Sequence, residues 1–412
     1  MKFTGSKLLL ISANFLYAFY QWLVLIVITR KLGLNAAGLY AFILALSAPI
    51  FLLLSFQFRN VIASKVKEAV EESLYFKFRF FAGVLATFLT IMVACLSNSY
   101  APTMNNLAIT LFICLIKLID SIVDLKYGFY QREQSLDKLT LSLLIRGVVG
   151  SFLMAYIYFI SELNLFGVLL SICLINLIVI MLIDFKSGLN FIFSKPLVLA
   201  EARVVFLSTY TLGFVAVLDS LFVNGQRYVV SFLFGYEVLA QYVSIVYILI
   251  VSQLVVTSLG QIFISKLSLF FSNKDFNNFL HLTHRLVVLS MILGGSGVLL
   301  AFFFGQEVLT LIYGKEVMFD RQVILLISLS SIPMYIGSCL GYSLLASGYY
   351  KKIIKPMVFS VFCLFILSYV LGGYFNLLGV SLALFVSYLL KSSLLYFEVL
   401  KTIKKNRELA IV

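Results

Sequence analysis

Apolar runs of about 20 residues recur along this whole chain, separated by short polar breaks. A helix that crosses the ~30 Å hydrocarbon core of a bilayer needs about 20 residues, whereas the strands of a membrane barrel are about ten residues long and alternate strictly. Hydrophobic residues make up 62% of the 412 residues and charged residues only 12%, which is far from the composition of a soluble domain. The sequence therefore predicts an all-α integral membrane protein that crosses the bilayer many times.

Twelve of these runs are long enough to span, and their Lys and Arg distribution predicts an orientation. The predicted spans are 8–29, 37–58, 80–97, 107–125, 139–160, 165–183, 204–233, 238–262, 286–305, 322–346, 357–373 and 377–397. Of the 31 Lys and Arg residues, 23 fall on the side of the two termini and five on the other side, so both termini are predicted to be cytoplasmic. The net charge of +13 thus reflects topology, and we expect no nucleic-acid partner.

Two pairs of similar short segments indicate an internal repeat. Gly33 and Tyr40 follow the first span as Gly235 and Tyr242 follow the seventh, and NLFGV at 164–168 is echoed by NLLGV at 376–380. Each half holds six predicted spans, so the halves have the same orientation in the membrane. We therefore predict two six-helix bundles, residues 1–195 and 196–412, arranged as parallel repeats.

The fourth span carries three charges at membrane depth. Lys117, Asp120 and Asp124 are spaced i, i+3 and i+7, so a helix places them on one face. One charge at the bilayer centre costs about 2.5 to 3.5 kcal/mol, so this face must meet an ion partner or a wet cavity. Arg146 lies at the depth of Asp120 and is the candidate partner, and both a structural pair and contact with a transported solute remain open.

Other polar side chains also fall within predicted spans. Asn14 and Gln21 share a face of the first span with Tyr17, Asp219 lies in the middle of the seventh span, and Lys391 lies in the twelfth. Polar residues recur at helical spacing in the eighth and tenth spans, namely Gln253, Thr257 and Gln261, and Ser331, Tyr335, Ser338 and Tyr342. Helix-to-helix hydrogen bonding explains either set alone, but all of them together favour a water-filled cavity between the halves.

Nothing in the sequence indicates an enzyme site or a cofactor. No GxxxxGK[ST] phosphate-binding loop occurs, so ATP-driven transport by this chain alone is not expected. His281 and His284 are the only histidines and lie in a basic break, and no nucleophile stands beside a base. The five cysteines lie in apolar runs without paired spacing, which is typical of packing residues rather than disulfides or metal ligands. We therefore expect no catalytic residue and no bound metal.

Several stretches resemble one known family. DSIVDLKYGFYQREQSLDKLTLSLLIRG at 120–147 is similar to the region of spans 4 and 5 in Wzx-type polysaccharide-unit flippases, which are members of the multidrug/oligosaccharidyl-lipid/polysaccharide (MOP) exporter superfamily. RKLGLNAAGLY at 30–40, LTLIYGKEVMFDRQVILLISL at 309–329 and LLASGYYKK at 344–352 resemble the same family. The resemblance implies a MATE-like fold of about twelve helices, with two bundles that alternate between inward and outward access.

The resemblance also implies a cargo and roles for the buried polar residues. The cargo would be an undecaprenyl-pyrophosphate-linked oligosaccharide repeat unit, flipped across the bacterial inner membrane to the periplasmic leaflet for O-antigen and lipopolysaccharide assembly. Lys117, Arg146, Asn14, Gln21 and Lys391 would contact the substrate. Asp120, Asp124 and Asp219 would couple transport to an H⁺ or Na⁺ gradient. Membrane lipids, a polysaccharide polymerase and a chain-length regulator would be the partners.

Two other functions remain open at this stage. A cation-coupled exporter of small drug-like molecules would have the same fold. A membrane polysaccharide polymerase would act on the same sugars, but such enzymes resemble one another in a long outer loop, and the longest outer connection here is only about 306–321.

Overall fold

The computed structural model describes residues 5–64, 72–185, 199–315 and 317–411, and these are helical almost throughout. They form ten α-helices and one 3₁₀ turn, Tyr350–Ile353, and contain no strand. The helices are α1 Gly5–Ser55, α2 Phe58–Ser64, α3 Glu72–Leu96, α4 Met104–Arg132, α5 Leu136–Phe159, α6 Leu165–Ile183, α7 Leu199–Ser272, α8 Phe276–Tyr313, α9 Arg321–Ala346 and α10 Ile354–Ile411.

Nine helices of the described chain are long and apolar enough to cross a membrane, and only α2 is too short. Three of the nine are interrupted by non-helical residues, at Gly33 in α1, at Gly235 in α7 and at Phe375 and Asn376 in α10. Each interruption falls between two of the predicted spans. The multi-pass, all-α architecture is confirmed, while the exact number of twelve crossings stays a prediction.

The interruption at Gly33 reverses the direction of α1. Arg30 donates to the hydroxyl of Tyr158 at 3.1 Å, close to the last residue of α5. Arg59, just beyond α1, contacts Asp124 at 2.8 Å, close to the end of α4. Because α5 begins directly after α4, these two contacts lie at opposite ends of the bundle. Earlier in α1, Tyr17 contacts Arg146 in the middle of α5, so the chain first runs toward the last residue of α5 and then turns back. Gly33 has φ 84° and ψ 174°, a backbone conformation that is essentially restricted to glycine.

The chain divides into two compact units, Met1–Asn224 (unit 1) and Gly225–Val412 (unit 2). The predicted boundary between residues 195 and 196 lies outside the described residues and stays a prediction. A buried cluster of unit 1 is rich in aromatic side chains, among them Phe58, Tyr75, Phe76, Tyr127 and Phe129. A buried cluster of unit 2 joins α7, α8, α9 and α10, with Phe279, Leu340 and Leu395 among its members.

The backbone of the two halves repeats at two places. Gly235 has φ 79° and ψ −172°, nearly the torsion angles of Gly33. The turns after α4 and after α9 share one hydrogen-bond pattern, in which the N–H of Ser135 donates to the carbonyl of Tyr130 and that of Tyr349 to that of Leu344. The middle residue of both turns has a positive φ, 57° at Gln134 and 79° at Gly348. The matching torsion angles of Gly33 and Gly235 agree with the internal repeat predicted from the sequence. The turn after α4 and α9 is a general helix ending, because it also follows α7, where Lys274 has φ 58°.

The third span begins earlier than the sequence predicts. Residues 59–79 read as a polar break, yet α3 already begins at Glu72, and Lys77 and Arg79 on it are buried. The reason is aromatic packing, because the guanidinium of Arg79 lies over the ring of Phe58 at 5.4 Å. Arg227 is one of the five basic residues that the charge count places on the outer side, and it is also buried, within α7.

Candidate functional site

The centre of the candidate site is an ion pair between α4 and α5 of unit 1. Nη2 of Arg146 contacts Oδ1 of Asp120, the pair expected from their equal depth in the sequence. The hydroxyl of Tyr17 on α1 donates to the same carboxylate oxygen at 3.1 Å and accepts from Nη2 of Arg146 at 2.8 Å. Asn176 on α6 accepts from Nε of Arg146 at 3.3 Å. Four helices therefore converge on one guanidinium.

Two glycines of α5 bring α1 close enough for these contacts. A Cβ on Gly147 would lie 3.2 Å from the backbone nitrogen of Tyr17, and one on Gly150 would lie 2.5 Å from the ring of Tyr20. Only a residue without a side chain permits this approach. As a result, the guanidinium of Arg146 lies 4.7 Å from the ring centroid of Tyr17, in cation–π range.

The two members of the ion pair differ in accessibility. The side chain of Arg146 is 2% exposed, and its donors serve Asp120, Tyr17 and Asn176. The side chain of Asp120 is 35% exposed. The carboxylate is therefore the member of the cluster that a proton, a cation or a solute can reach.

A second ion pair lies one helical turn further along α4. Nη1 of Arg59 contacts Oδ1 of Asp124 at 2.8 Å, and its Nε donates to Gln131 at 3.3 Å. Gly128 lets α2 approach α4, because a Cβ there would meet the backbone of Arg59 at 3.0 Å. Both side chains stay partly exposed, at 32% for Arg59 and 44% for Asp124. The acidic face of α4 thus carries two arginine partners.

A chain of hydroxyl groups leads from this region to the end of α6. The hydroxyls of Tyr127 and Ser142 lie 2.8 Å apart, and Ser142 donates to Oδ2 of Asp184 at 2.7 Å. Asp184 directly follows the last residue of α6 and is buried. Burial raises the pKa of Asp184 above its usual range, against the opposing effect of the Ser142 hydrogen bond. A buried carboxyl group that can hold its proton therefore lies at one end of unit 1.

The remaining predicted site residues occupy varied surroundings. Asn14 is exposed and donates to the carbonyl of Leu10 on its own helix at 2.8 Å, and Gln21 is exposed. Lys117 is half-buried on the helix that carries Asp120. Asp219 is exposed in the part of α7 that belongs to unit 1, and Lys391 is half-buried in α10 of unit 2. Their roles in binding and coupling stay predictions.

Polar side chains of unit 2 join helices. The amide of Gln253 on α7 donates to Ser338 on α9 at 2.6 Å, and the hydroxyls of Ser252 and Tyr335 are also in contact. These bonds agree with helix-to-helix hydrogen bonding, which is one of the two explanations that the sequence offered for the polar residues of the eighth and tenth predicted spans. Gln261 lies outside the side chains that the structure describes.

Several residues of the site could not be identified from the sequence. Arg59 lies in a predicted polar break, and helical spacing cannot pair it with Asp124 because the two residues belong to different helices. Asn176 is the only amide side chain in the apolar helix α6, and this was the available signal for its role. Among the described residues, no group of three or more His, Cys, Asp or Glu side chains comes together to hold a metal ion.

Comparison with known proteins gives sequence and structural relatives over nearly the whole chain, while no family model matches it. The capsular polysaccharide biosynthesis protein CapF of Staphylococcus aureus is 28% identical over 377 residues, which cover 91% of this chain and 93% of CapF. A multidrug resistance MATE family transporter of the MOP superfamily, in its inward-facing conformation, superposes with a TM-score of 0.73 at 12% identity, over 95% of this chain and 96% of that one.

An outward-facing structure of such a transporter gives a TM-score of 0.68 at 12% identity, over 98% of this chain and 96% of that one. The fold is therefore that of MATE transporters. The matches confirm the MATE-like fold that the resemblance to the MOP exporter superfamily implies.

Proposed function

We propose that this protein flips an oligosaccharide repeat unit, linked to undecaprenyl pyrophosphate, from the cytoplasmic to the periplasmic leaflet of the bacterial inner membrane. The product would supply the assembly of a surface polysaccharide, either a capsule or O-antigen. The protein would act by alternating access, as a transporter and not as an enzyme, with both termini in the cytoplasm.

One observation carries this proposal. A protein named for capsular polysaccharide biosynthesis aligns with 91% of a chain that has a transporter fold. A polysaccharide precursor is polar and carries its charge on the carrier lipid, so it cannot cross the hydrocarbon core unaided. A transporter in that pathway has such a precursor as its natural cargo.

The cluster around Arg146 supports a coupling role for Asp120. The carboxylate is partly exposed, whereas Arg146 is buried and bonded to its neighbours. A proton or Na⁺ on Asp120 would neutralise the partner of Arg146 and release guanidinium donors for the pyrophosphate of the cargo. In this proposal Asp120, Asp124 and Asp219 bind the coupling ion.

The other polar residues would contact the cargo itself. Lys117 and Arg146 would bind the pyrophosphate, and Asn14, Gln21 and Lys391 would offer donors to the sugars or the phosphates. Asn14 and Gln21 are exposed, so they can reach a solute without rearrangement of the helices.

Deletion of the gene tests the proposal directly. Lipid-linked repeat units should accumulate in the inner leaflet and surface polysaccharide should disappear, and the wild-type gene should restore both. Normal surface polysaccharide in a deletion strain that has no second flippase would refute the proposal.

A charge swap separates a structural role of the ion pair from a transport role. The double variant Asp120→Arg/Arg146→Asp restores the pair with reversed sign. Normal expression with lost transport is the result expected here, because cargo and ion both depend on the sign of each charge. Full transport by the swapped variant would show that the pair only holds α4 and α5 together.

The fold of the solved relatives favours one alternative, a cation-coupled exporter of small molecules. In that case the deletion strain would become sensitive to drugs while its glycans stayed unchanged. A membrane polymerase is a weaker alternative, and it predicts unpolymerised repeat units that have already reached the outer leaflet.

A further inference from the structure

Unit 2 contains a cavity of about 750 Å³, here called the unit 2 cavity. It lies where three chain connections meet, namely the break of α7 at Gly235, the residues just before α9, and the break of α10 at Phe375 and Asn376. Its volume falls within the ~300 to 1,000 Å³ that is typical of small-molecule sites. The lining that matters for recognition consists of Phe234, Gln241, Phe319, Asp320, Phe375 and Asn376.

The position of this cavity at helix ends favours a hydrophilic ligand. Irregular backbone is tolerated in a membrane protein only where it is buried in protein, lines a wet cavity or leaves the hydrocarbon core. Asp320 begins α9 and accepts the N–H of Gln322 at 2.7 Å, and its side chain is exposed. An acyl chain would leave the polar groups of this lining unused.

The internal repeat gives a matched comparison for Asn376. Asn164 opens NLFGV in unit 1 and caps α6 by accepting the N–H of Gly167 at 2.9 Å. Asn376 opens NLLGV in unit 2, but it has φ 51° and ψ −140°, is exposed and belongs to the lining of the cavity. The amides of Asn376 and Gln241 make no hydrogen bond to any residue of the described chain. In unit 2 the asparagine of the motif therefore does not cap a helix, and its amide is available at the cavity lining.

The corresponding cavity of unit 1 is smaller, and a hydrogen bond joins two of its lining residues. It measures about 190 Å³ and is lined by Lys31, whose Nζ donates to the carbonyl of Ser161 at 3.3 Å. The neighbouring Arg30 bonds to Tyr158, also in unit 1. At the repeat positions of Arg30 and Lys31, unit 2 has Phe232 and Leu233, which cannot form these polar bridges.

We propose that the unit 2 cavity is a saccharide subsite that holds one or two sugar rings of the transported oligosaccharide. A pyranose ring has an apolar face of C–H groups, which an aromatic ring such as Phe375 can cover, and a rim of hydroxyls that need donors and acceptors. The free amides of Gln241 and Asn376 and the carboxylate of Asp320 provide these groups. This inference rests on the proposed function, because it takes the sugar of the carrier lipid as the ligand.

Native mass spectrometry of the full-length protein in detergent can test the subsite with two probes. One probe is undecaprenyl pyrophosphate that carries the host's own repeat unit, and the other is bare undecaprenyl pyrophosphate. The wild-type protein should bind the sugar-bearing lipid about tenfold more tightly than the bare lipid. Gln241→Met and Asn376→Gly should each lower this ratio severalfold and leave the affinity for the bare lipid unchanged.

The variants are chosen to keep the fold. Methionine fills the volume of glutamine in a helix, and glycine tolerates the positive φ of Asn376. Asn164→Gly is the matched control, because it makes the same change in the same motif of unit 1, where glycine is itself an accepted N-cap residue. It should leave the binding ratio unchanged.

Each other outcome is decisive. Equal binding of the two lipids by the wild-type protein, an unchanged ratio in both variants, or an equal fall in Asn164→Gly would overturn the subsite while the flippase proposal stands. An equal loss of both lipids in Gln241→Met and Asn376→Gly would assign the cavity to an acyl chain. Binding of neither lipid by the wild-type protein would instead refute the proposed function.

Discussion

Arg146 and Asp120 form an ion pair in which one side chain is 2% exposed and the other 35%. The asymmetry follows from their surroundings, since α1 and α6 close over the guanidinium while the carboxylate keeps an open side. Arg146 therefore depends on Asp120 for its charge balance more than Asp120 depends on Arg146.

We expect Asp120→Asn to destabilise the protein by about 3 kcal/mol, because it leaves a buried guanidinium without a counter-charge. The double variant Asp120→Asn/Arg146→Met should recover part of this loss, since it removes the uncompensated charge. Apparent melting temperatures of the purified variants in one detergent measure both effects.

Asp124→Asn is the control for that series, because it makes the same chemical change one turn along α4 in a pair that is partly exposed on both sides. It should cost less than about 1 kcal/mol. Equal losses at positions 120 and 124 would contradict the difference in burial.

The helix breaks at Gly33 and Gly235 are expected to depend on glycine. Gly33→Ala and Gly235→Ala should each cost about 1 to 3 kcal/mol, because both glycines occupy a conformation that side chains disfavour. No atom lies within 4 Å of a Cβ added at either position, so the effect would come from the backbone alone. The yield of folded protein and its melting temperature measure it. Gly295→Ala, which also meets nothing within 4 Å but lies inside α8, should be neutral or slightly stabilising.

The close approach of α1 and α5 predicts a steric effect at Gly150. Gly150→Ala would place Cβ 2.5 Å from the ring of Tyr20 and should cost about 1 to 3 kcal/mol as the helices separate. Transport should fall as well, since Tyr17 lies on the same segment as Tyr20 and bonds to Asp120. Gly341→Ala has open space around its Cβ and serves as the control in both assays.

Asp184 predicts a pH dependence of stability. Its pKa in the folded protein is raised above the usual 3.8, so the folded state holds the proton more tightly than the unfolded state does. Stability should therefore fall as pH rises from the usual value through the raised one, and the penalty is complete above it. The difference in melting temperature between wild type and Asp184→Asn, followed from pH ~4 to ~8, isolates this group. Asp184→Asn should be the more stable protein at the upper end, and a constant difference would contradict the prediction.

The sequence predicted the membrane class and the helix breaks because long apolar runs and glycines are strong local signals. It also placed Asp120 and Arg146 at one depth, which depends only on helix geometry. Arg59 could not be assigned to Asp124 in this way, since α2 folds back along α4 through tertiary packing. The start of α3 was missed for a similar reason, because aromatic side chains bury Lys77 and Arg79.

The matching turns after α4 and α9 show that one helix ending can be formed by quite different residues. Gln134 and Gly348 share no chemistry, yet both hold a left-handed torsion inside the same set of hydrogen bonds. The same bonds and torsion recur after α7 at Lys274, so this helix ending accepts a residue with a side chain at the cost of some backbone strain. Gln134 and Lys274 carry that strain, and glycine at either position should relieve it, because Gly348 adopts the same torsion without penalty.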